Sequence, residues 1–255
     1  MTTTKRLDTF GEFAPAYTIS NEDQRWATRA VPGVKKVLTV AGSGDQALFY
    51  KLAGAKIIDT FDKSKNARVI QDIKFVAIQK YSLREYNRLL FDLFYAENII
   101  RMPQMQKIMP FLPAQTIRII TQPGNKHILG AGMDVSAYPE NIPTEQEYAK
   151  LRATHKKAFR FVACDLYDLG AKISGRYDLI NISNIFDYCY DGKEKLKILY
   201  DLTQHLNIGG HIVYLPQSTG FWYPGFYLET STCKLDYIKT LRHNDSKMIL
   251  FQRTR

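Results

Sequence analysis

Ala41-Gly42-Ser43-Gly44-Asp45 closes a short apolar run and has the clearest chemical meaning in the chain. Glycine has no Cβ, so a turn of this kind lets the backbone pass close to a ligand. A helix that starts there offers unpaired N–H groups. Gly42, Ser43 and Gly44 are therefore candidate cofactor contacts. Asp62 lies 20 residues after Gly42, at the end of the next apolar run. A carboxylate at that place can accept hydrogen bonds from both hydroxyls of a ribose. Turn and acid together point to a nucleoside cofactor. A plain strand-to-helix turn would use the same glycines, and a helix N-cap the same acid. The Gly-x-Gly-x-x-Gly pattern of dinucleotide enzymes is not completed, because Ala47 and Leu48 follow in place of a third glycine.

Further candidates recur at the ends of later apolar runs. Asp165 follows Phe159–Cys164, where an acid can receive an adenine amino group; an Asx turn is the alternative. Asn184 and Asp187 follow Tyr177–Ile182 and can position an acceptor or the amino acid part of a cofactor; helix capping is the alternative. The aromatic cluster Phe221–Tyr227 is either core or the wall of an acceptor pocket. His127, His155, His205, His211 and His243 show no metal-ligand spacing, which predicts surface or capping roles. Three cysteines with no Cys-x-x-Cys pair predict neither a zinc site nor a disulfide framework, and they suit a reducing cytoplasm. Neither a nucleophile elbow nor a P-loop is present.

These residues need elements to hold them. Residues 18–30 read as a helix capped by Ser20, with Asn21, Glu22 and Asp23 in its first turn. Pro32-Gly33 breaks it. Val37–Val40 reads as a buried strand, Gln46–Leu52 as the start of a helix, and Lys56–Asp62 as a second strand. A long helical region is expected from about Ser64 to Ile108. The stretch 103–145 is rich in proline, carries glycines at Gly130–Gly132, and reads as an irregular excursion that covers a site. Strands are expected at 159–164, 177–182 and 211–215, with a helix at 193–206 closed by Gly209-Gly210. A terminal hairpin spans 233–242 and 247–253 and turns at His243-Asn244-Asp245. The order predicts an α/β chain with a Rossmann-like class I methyltransferase fold: a mostly parallel sheet finished by an antiparallel hairpin. It is expected to be a single domain, 1–255, with a helical and loop insertion over about 64–158.

Composition narrows the classes. The chain has 255 residues, 45% of them apolar, which is enough for one sizeable core. The net charge of +10 is scattered in small groups such as Lys35-Lys36 and Lys156-Lys157. It reads as a solvated surface, with no nucleic acid expected. No apolar stretch is long enough to predict a membrane span. Met1–Asp8 leads into no apolar run, so no secretory signal is expected and the expected location is cytoplasmic.

Three blocks carry a family resemblance: Val37–Phe49 (VLTVAGSGDQALF), Ile58–Asn66 (IDTFDKSKN) and Ile73–Leu90 (IKFVAIQKYSLREYNRLL). They resemble the diacylglycerol 3-amino-3-carboxypropyltransferases of betaine-lipid synthesis, whose fold is similar to class I methyltransferases. Lys74-Phe75-Val76-Ala77-Ile78 corresponds to that family's Lys-Leu-Ala-Ala-Ile type of stretch. Ser20–Asp23 resembles its Asn/Trp-Glu-Asp segment, and Ser183–Tyr188 its Ser-Asn-x-x-Asp-Trp segment. The resemblance covers about half the chain. It implies S-adenosyl-L-methionine as cofactor and transfer of the 3-amino-3-carboxypropyl group to a small-molecule or lipid acceptor, with release of methylthioadenosine. A lipid acceptor would bring peripheral membrane contact. On this reading Glu22 or Asp23 binds the ammonium of the cofactor tail. Asn184 and Tyr188 hold its carboxylate or the acceptor, and Asp187 takes the acceptor proton. Methyl transfer on the same scaffold, and cyclisation or lysis of the tail, are the enzymatic alternatives. A non-catalytic basic binding protein is the alternative of another class. The sequence leaves the acceptor and the oligomeric state open.

Overall fold

The computed structural model describes residues 11–14, 16–96, 98–122, 138–189, 192–217, 227–229, 233–243 and 246–255. β-branched and apolar residues build the parallel strands β1 (Lys36–Val40), β2 (Ile57–Asp62), β3 (Arg160–Ala163), β4 (Tyr177–Asn181) and β5 (Leu206–Tyr214). The antiparallel strands β6 (Tyr227–Glu229), β7 (Lys234–His243) and β8 (Ser246–Arg253) finish the sheet. The order across it is β3-β2-β1-β4-β5-β8-β7-β6. This is the expected Rossmann-like class I methyltransferase architecture, a parallel sheet ending in antiparallel strands. The chain winds outward in both directions from β1 and β4. In such sheets a crevice opens at the carboxyl ends of those two strands.

Nine α-helices lie among the described residues: α1 (Gln24–Ala30), α2 (Asp45–Leu52), α3 (Lys65–Lys80), α4 (Leu83–Phe94), α5 (Pro103–Ile108), α6 (Ala114–Thr121), α7 (Glu145–Thr154), α8 (Leu169–Lys172) and α9 (Gly192–Gln204). Strand side chains alternate between two faces. Val37, Leu179 and Val213 pack with Ala27 of α1 and Ala47 and Tyr50 of α2. Leu38, Ile180 and Ile212 pack on the other face with Leu169 of α8 and Ile198, Leu199 and Leu202 of α9. Both faces of the central strands are thus covered, which explains their nearly unbroken apolar runs. No helix among the described residues is long and apolar enough to cross a membrane.

Several expected boundaries move. The 18–30 helix starts only at Gln24, because the Asp23 carboxylate accepts from Trp26 N at 2.9 Å and caps it there. Ser20 is no cap of that helix; its N–H donates to Asp45 Oδ2 at 2.8 Å. Asn21, Glu22 and Asp23 accordingly precede the first turn. The single long helix divides at Ser82, whose hydroxyl and Glu85 form a capping box that starts α4 afresh. Residues 103–122 are not irregular. Pro103 opens α5 at its first turn and Pro113 precedes α6, positions where a missing N–H costs nothing. The expected Gly130–Gly132 stretch, the 221–226 aromatics and the hairpin tip at 244–245 lie outside the described residues.

Gly209 and Gly210 do not close a helix; both lie inside β5. A Cβ at Gly210 would sit 2.9 Å from Asn207 O, 3.1 Å from Tyr177 O and 3.2 Å from Asp178 O. The β4–β5 register shifts at this point. Gly210→Ala is therefore expected to lower stability by about 1–3 kcal/mol, since backbone oxygens must move to admit the methyl group. Urea unfolding checks this; an unchanged midpoint would contradict it.

Candidate functional site

A cavity of about 380 Å³ opens where the strand order reverses, at the carboxyl ends of β1, β2, β3 and β4. That volume is in the range of small-molecule sites, roughly 300–1,000 Å³. Gly42 and Ser43 form part of its wall. Gly42 has φ +45°, and the nearest neighbour of an added Cβ would be Val40 Cγ1 at 3.9 Å. Gly44 does not line the cavity. Its φ is +84° and an added Cβ would come within 3.3 Å of Gln71 Cα, so its lack of a side chain serves packing against α3.

Asp62 ends β2 at the cavity wall. Its Oδ2 accepts from Gly42 N at 3.0 Å and its Oδ1 from Ser64 N at 2.9 Å. Among the described residues no lysine or arginine pairs with it. Burial pushes its carboxyl up to about 6, against the pull of the N–H groups of Ser64, Gly42 and Lys63. The carboxylate is thus braced by backbone, with lone pairs left to meet a ligand hydroxyl. Asp165 also lines the cavity. It pairs with Lys63 Nζ at 3.1 Å and accepts from Tyr167 N at 3.3 Å, so the Asx turn is realised.

Asn184 and Tyr188 line the cavity as well, from the turn after β4. Ser183 at the head of that turn has φ +52°, unusual for a residue with a side chain. Strained backbone of this kind clusters at functional sites. The structure does not bring Asp187, Glu22 or Asp23 into the cavity wall. Asp187 accepts from the Tyr214 hydroxyl and, at 2.8 Å, from Gln217 N, so it ties the turn to the segment after β5. Asp23 is the α1 cap. Glu22 is buried one layer back, accepting from Ser183 Oγ at 2.5 Å and Gln46 Nε2 at 2.8 Å.

Other wall residues lie away from the strand ends that the sequence points to. Ser20 and Asn21 come from the N-terminal segment with Tyr17 and Ala16, and Gln46 comes from the first turn of α2. Asn66 Nδ2 donates to Phe13 O at 2.9 Å and Ser64 Oγ to Ala14 O at 2.5 Å, which holds that segment against the site. Asp45 organises the polar end. Its Oδ2 accepts from Ser20 N and, at 2.9 Å, from Ser43 Oγ, while Oδ1 accepts from Lys74 Nζ at 2.5 Å. Lys74 and Asp45 are both buried, and burial pulls the lysine pKa down. Lys74 lies in the Lys74–Ile78 stretch, but a surface lysine of α3 would read the same in sequence. Among the histidines, His155 is the C-cap of α7 and is buried between Phe75 and Phe159, which pushes it down to about 4. Among the described residues no cluster of acids, histidines and cysteines could hold a metal ion.

No family model matches the sequence, and no curated protein matches it. Solved structures similar to it include the rRNA methyltransferase AviRa from Streptomyces viridochromogenes, at 12% identity over 98% of this chain and 94% of that one, with a TM-score of 0.49. They also include the N-methyltransferase NodS from Bradyrhizobium japonicum in complex with S-adenosylhomocysteine, at 10% identity over 91% of this chain and 84% of that one, with a TM-score of 0.39.

Proposed function

We propose that this chain binds S-adenosylmethionine in the β1–β4 crevice and transfers one of its sulfonium alkyl groups to an acceptor. The observation that carries this is Asp62: a carboxylate with no lysine or arginine partner among the described residues, braced on Gly42 N and Ser64 N at the carboxyl end of β2. It suits the two hydroxyls of a ribose. Asp165, Leu166 and Tyr167 after β3 would face the adenine. Ser20, Asn21, Ser43 and Gln46 would receive the amino acid tail with neutral hydrogen-bonding groups. When bound, the cofactor supplies a sulfonium whose alkyl carbon is open to attack. The chain orients that carbon and excludes water.

Methyl transfer is the first reading. Several wall groups at the polar end belong to a buried network: Ser43 is tied to Asp45, and Gln46 and Ser183 to Glu22. A tail held by such a network suits a group that stays in place while the methyl leaves. One observation favours 3-amino-3-carboxypropyl transfer as a second reading. The two segments Ser20–Asp23 and Ser183–Tyr188, far apart in sequence, meet through the Glu22–Ser183 hydrogen bond. Product analysis decides between them. The chain is incubated with S-adenosylmethionine and small-molecule or lipid extracts. S-adenosylhomocysteine marks methyl transfer. Methylthioadenosine above the spontaneous breakdown of the cofactor marks aminocarboxypropyl transfer or lysis. Neither product, with no binding, would leave a non-catalytic protein.

Gly42→Val tests the turn. The site has room for the fold to accept a side chain, at a strain of about 1–2 kcal/mol for a positive φ. The isopropyl group would border the cavity, so binding of S-adenosylmethionine is expected to vanish while the circular dichroism spectrum is kept. A folded variant with wild-type affinity would remove Gly42 from the site.

A further inference from the structure

Glu22 is a buried carboxyl with no counter-ion among the described residues. Its hydrogen-bond donors are Ser183 Oγ at 2.5 Å, Gln46 Nε2 at 2.8 Å and Gln24 Nε2 at 3.3 Å, all neutral. Among the described residues no lysine, arginine or histidine pairs with it. The charged and titratable groups around it do not fill that gap. After β4, Asp187 adds a further negative charge. On α2, Tyr50 is held neutral by burial, and Asp45 is already matched by Lys74 of α3. On α1, Arg25 is paired with Glu147 of α7, and Asp23 is the cap. From the turn at Pro139–Asn141, the neutral Asn141 donates to Glu22 O at 2.8 Å. Burial pushes Glu22 up to about 7 against the pull of its Ser183, Gln24 and Gln46 hydrogen bonds, so near neutral pH the carboxyl is shared between its protonated and ionised forms.

Two of its three donors, Ser183 and Gln46, also line the cavity. Gln46 is fixed in that orientation because its Oε1 accepts from Thr39 Oγ1 at 2.7 Å. The Ser183 hydroxyl donates to the carboxyl and keeps lone pairs for a cationic N–H in the cavity. One hydrogen-bonded side chain therefore separates Glu22 from the ligand space.

We propose that Glu22 is the counter-charge for a cation entering this cavity, and that ligand binding expels its proton to solvent. The proton leaves the carboxyl as the positively charged ligand arrives, and it returns when the ligand departs. This rests on the S-adenosylmethionine reading, whose ligand carries a sulfonium and an ammonium. The sign follows from linkage. Binding favours the ionised carboxyl, so affinity rises with pH on the acid side of about 7, by at most tenfold per pH unit, and levels off above it.

The test is calorimetry on the full chain in buffers of different ionisation heat, near pH 7 and near pH 8.5. S-adenosylmethionine is compared with methylthioadenosine, which keeps adenine and ribose but carries neither charge. With S-adenosylmethionine the wild type is expected to release about half a proton near pH 7 and almost none more alkaline. Methylthioadenosine is expected to bind without that release. Glu22→Gln is expected to lose the release and, near pH 8.5, to bind S-adenosylmethionine about 10- to 100-fold more weakly, with methylthioadenosine unaffected. If Glu22→Gln does not fold, loss of the protonated-carboxyl infrared band on ligand addition to the wild type gives the same answer. Equal proton release by both ligands, or by wild type and variant, overturns the proposal while the cofactor assignment stands. No binding of either ligand overturns both.

Discussion

Asp62→Ala is expected to weaken S-adenosylmethionine binding by about 10- to 100-fold, the worth of a charge-assisted contact at roughly 1.5–3 kcal/mol. The carboxylate has no cationic partner among the described residues, and its own protein bonds are to Gly42 N and Ser64 N. Both of those residues border the cavity, so water can satisfy their N–H groups once the carboxylate is gone. The fold should survive the change. Its raised carboxyl, at about 6, means that Asp62 costs folded-state stability as pH climbs from the unfolded value through 6. At alkaline pH the variant should therefore recover part of what the lost hydrogen bonds cost. Calorimetry with thermal unfolding reads both quantities. Wild-type affinity in a folded Asp62→Ala chain would remove this residue from the site and with it the main support for a nucleoside ligand.

Lys74→Met should have the largest effect on stability, a loss of about 3–5 kcal/mol. It leaves Asp45 buried and unpaired while that carboxylate still holds Ser20 N and Ser43 Oγ. Adding Asp45→Asn should restore much of the loss, because the stranded charge goes with it. The pH dependence has a definite sign. A stranded buried charge costs most where acid cannot neutralise it, so Lys74→Met should be more damaged at pH 8 than at pH 5. Urea unfolding of the two single variants and the double variant at both pH values checks this. Strictly additive losses would mean that the pair does not act as a unit.

The parts of this structure that were legible in sequence are those where a local pattern has one physical outcome. Val37–Val40, the glycine turn, the acid-ended strand at Asp62 and the later apolar runs give the strands in their observed order. Proline misled in one place: Pro103 and Pro113 suggested irregular chain but in fact start helices. Gly209-Gly210 misled in another, because a helix terminus and a strand with crowded backbone call for the same residue. In the site, Asp62, Asp165 and Asn184 came from the rule that strand carboxyl ends face a crevice, and Tyr188 from the family resemblance. That Lys74, Gln46 and the N-terminal segment build the site was not legible from local spacing, since burial and pairing across tens of residues leave no trace there. Asp187 and Glu22 lie in the right turns, yet which carboxylates reach the cavity and which stand behind it is decided by tertiary packing.

Among the described residues, β3 forms one edge of the eight-stranded sheet; it has four residues and carries the exposed Arg160. An edge strand presents unpaired N–H and C=O groups that can template addition of a strand from another molecule. A strand of four residues offers such a partner little to grip, and an arginine there makes the approach less favourable still. At its β3 edge the sheet is thus poorly suited to extending itself from chain to chain, a safeguard against aggregation set by where that strand stops.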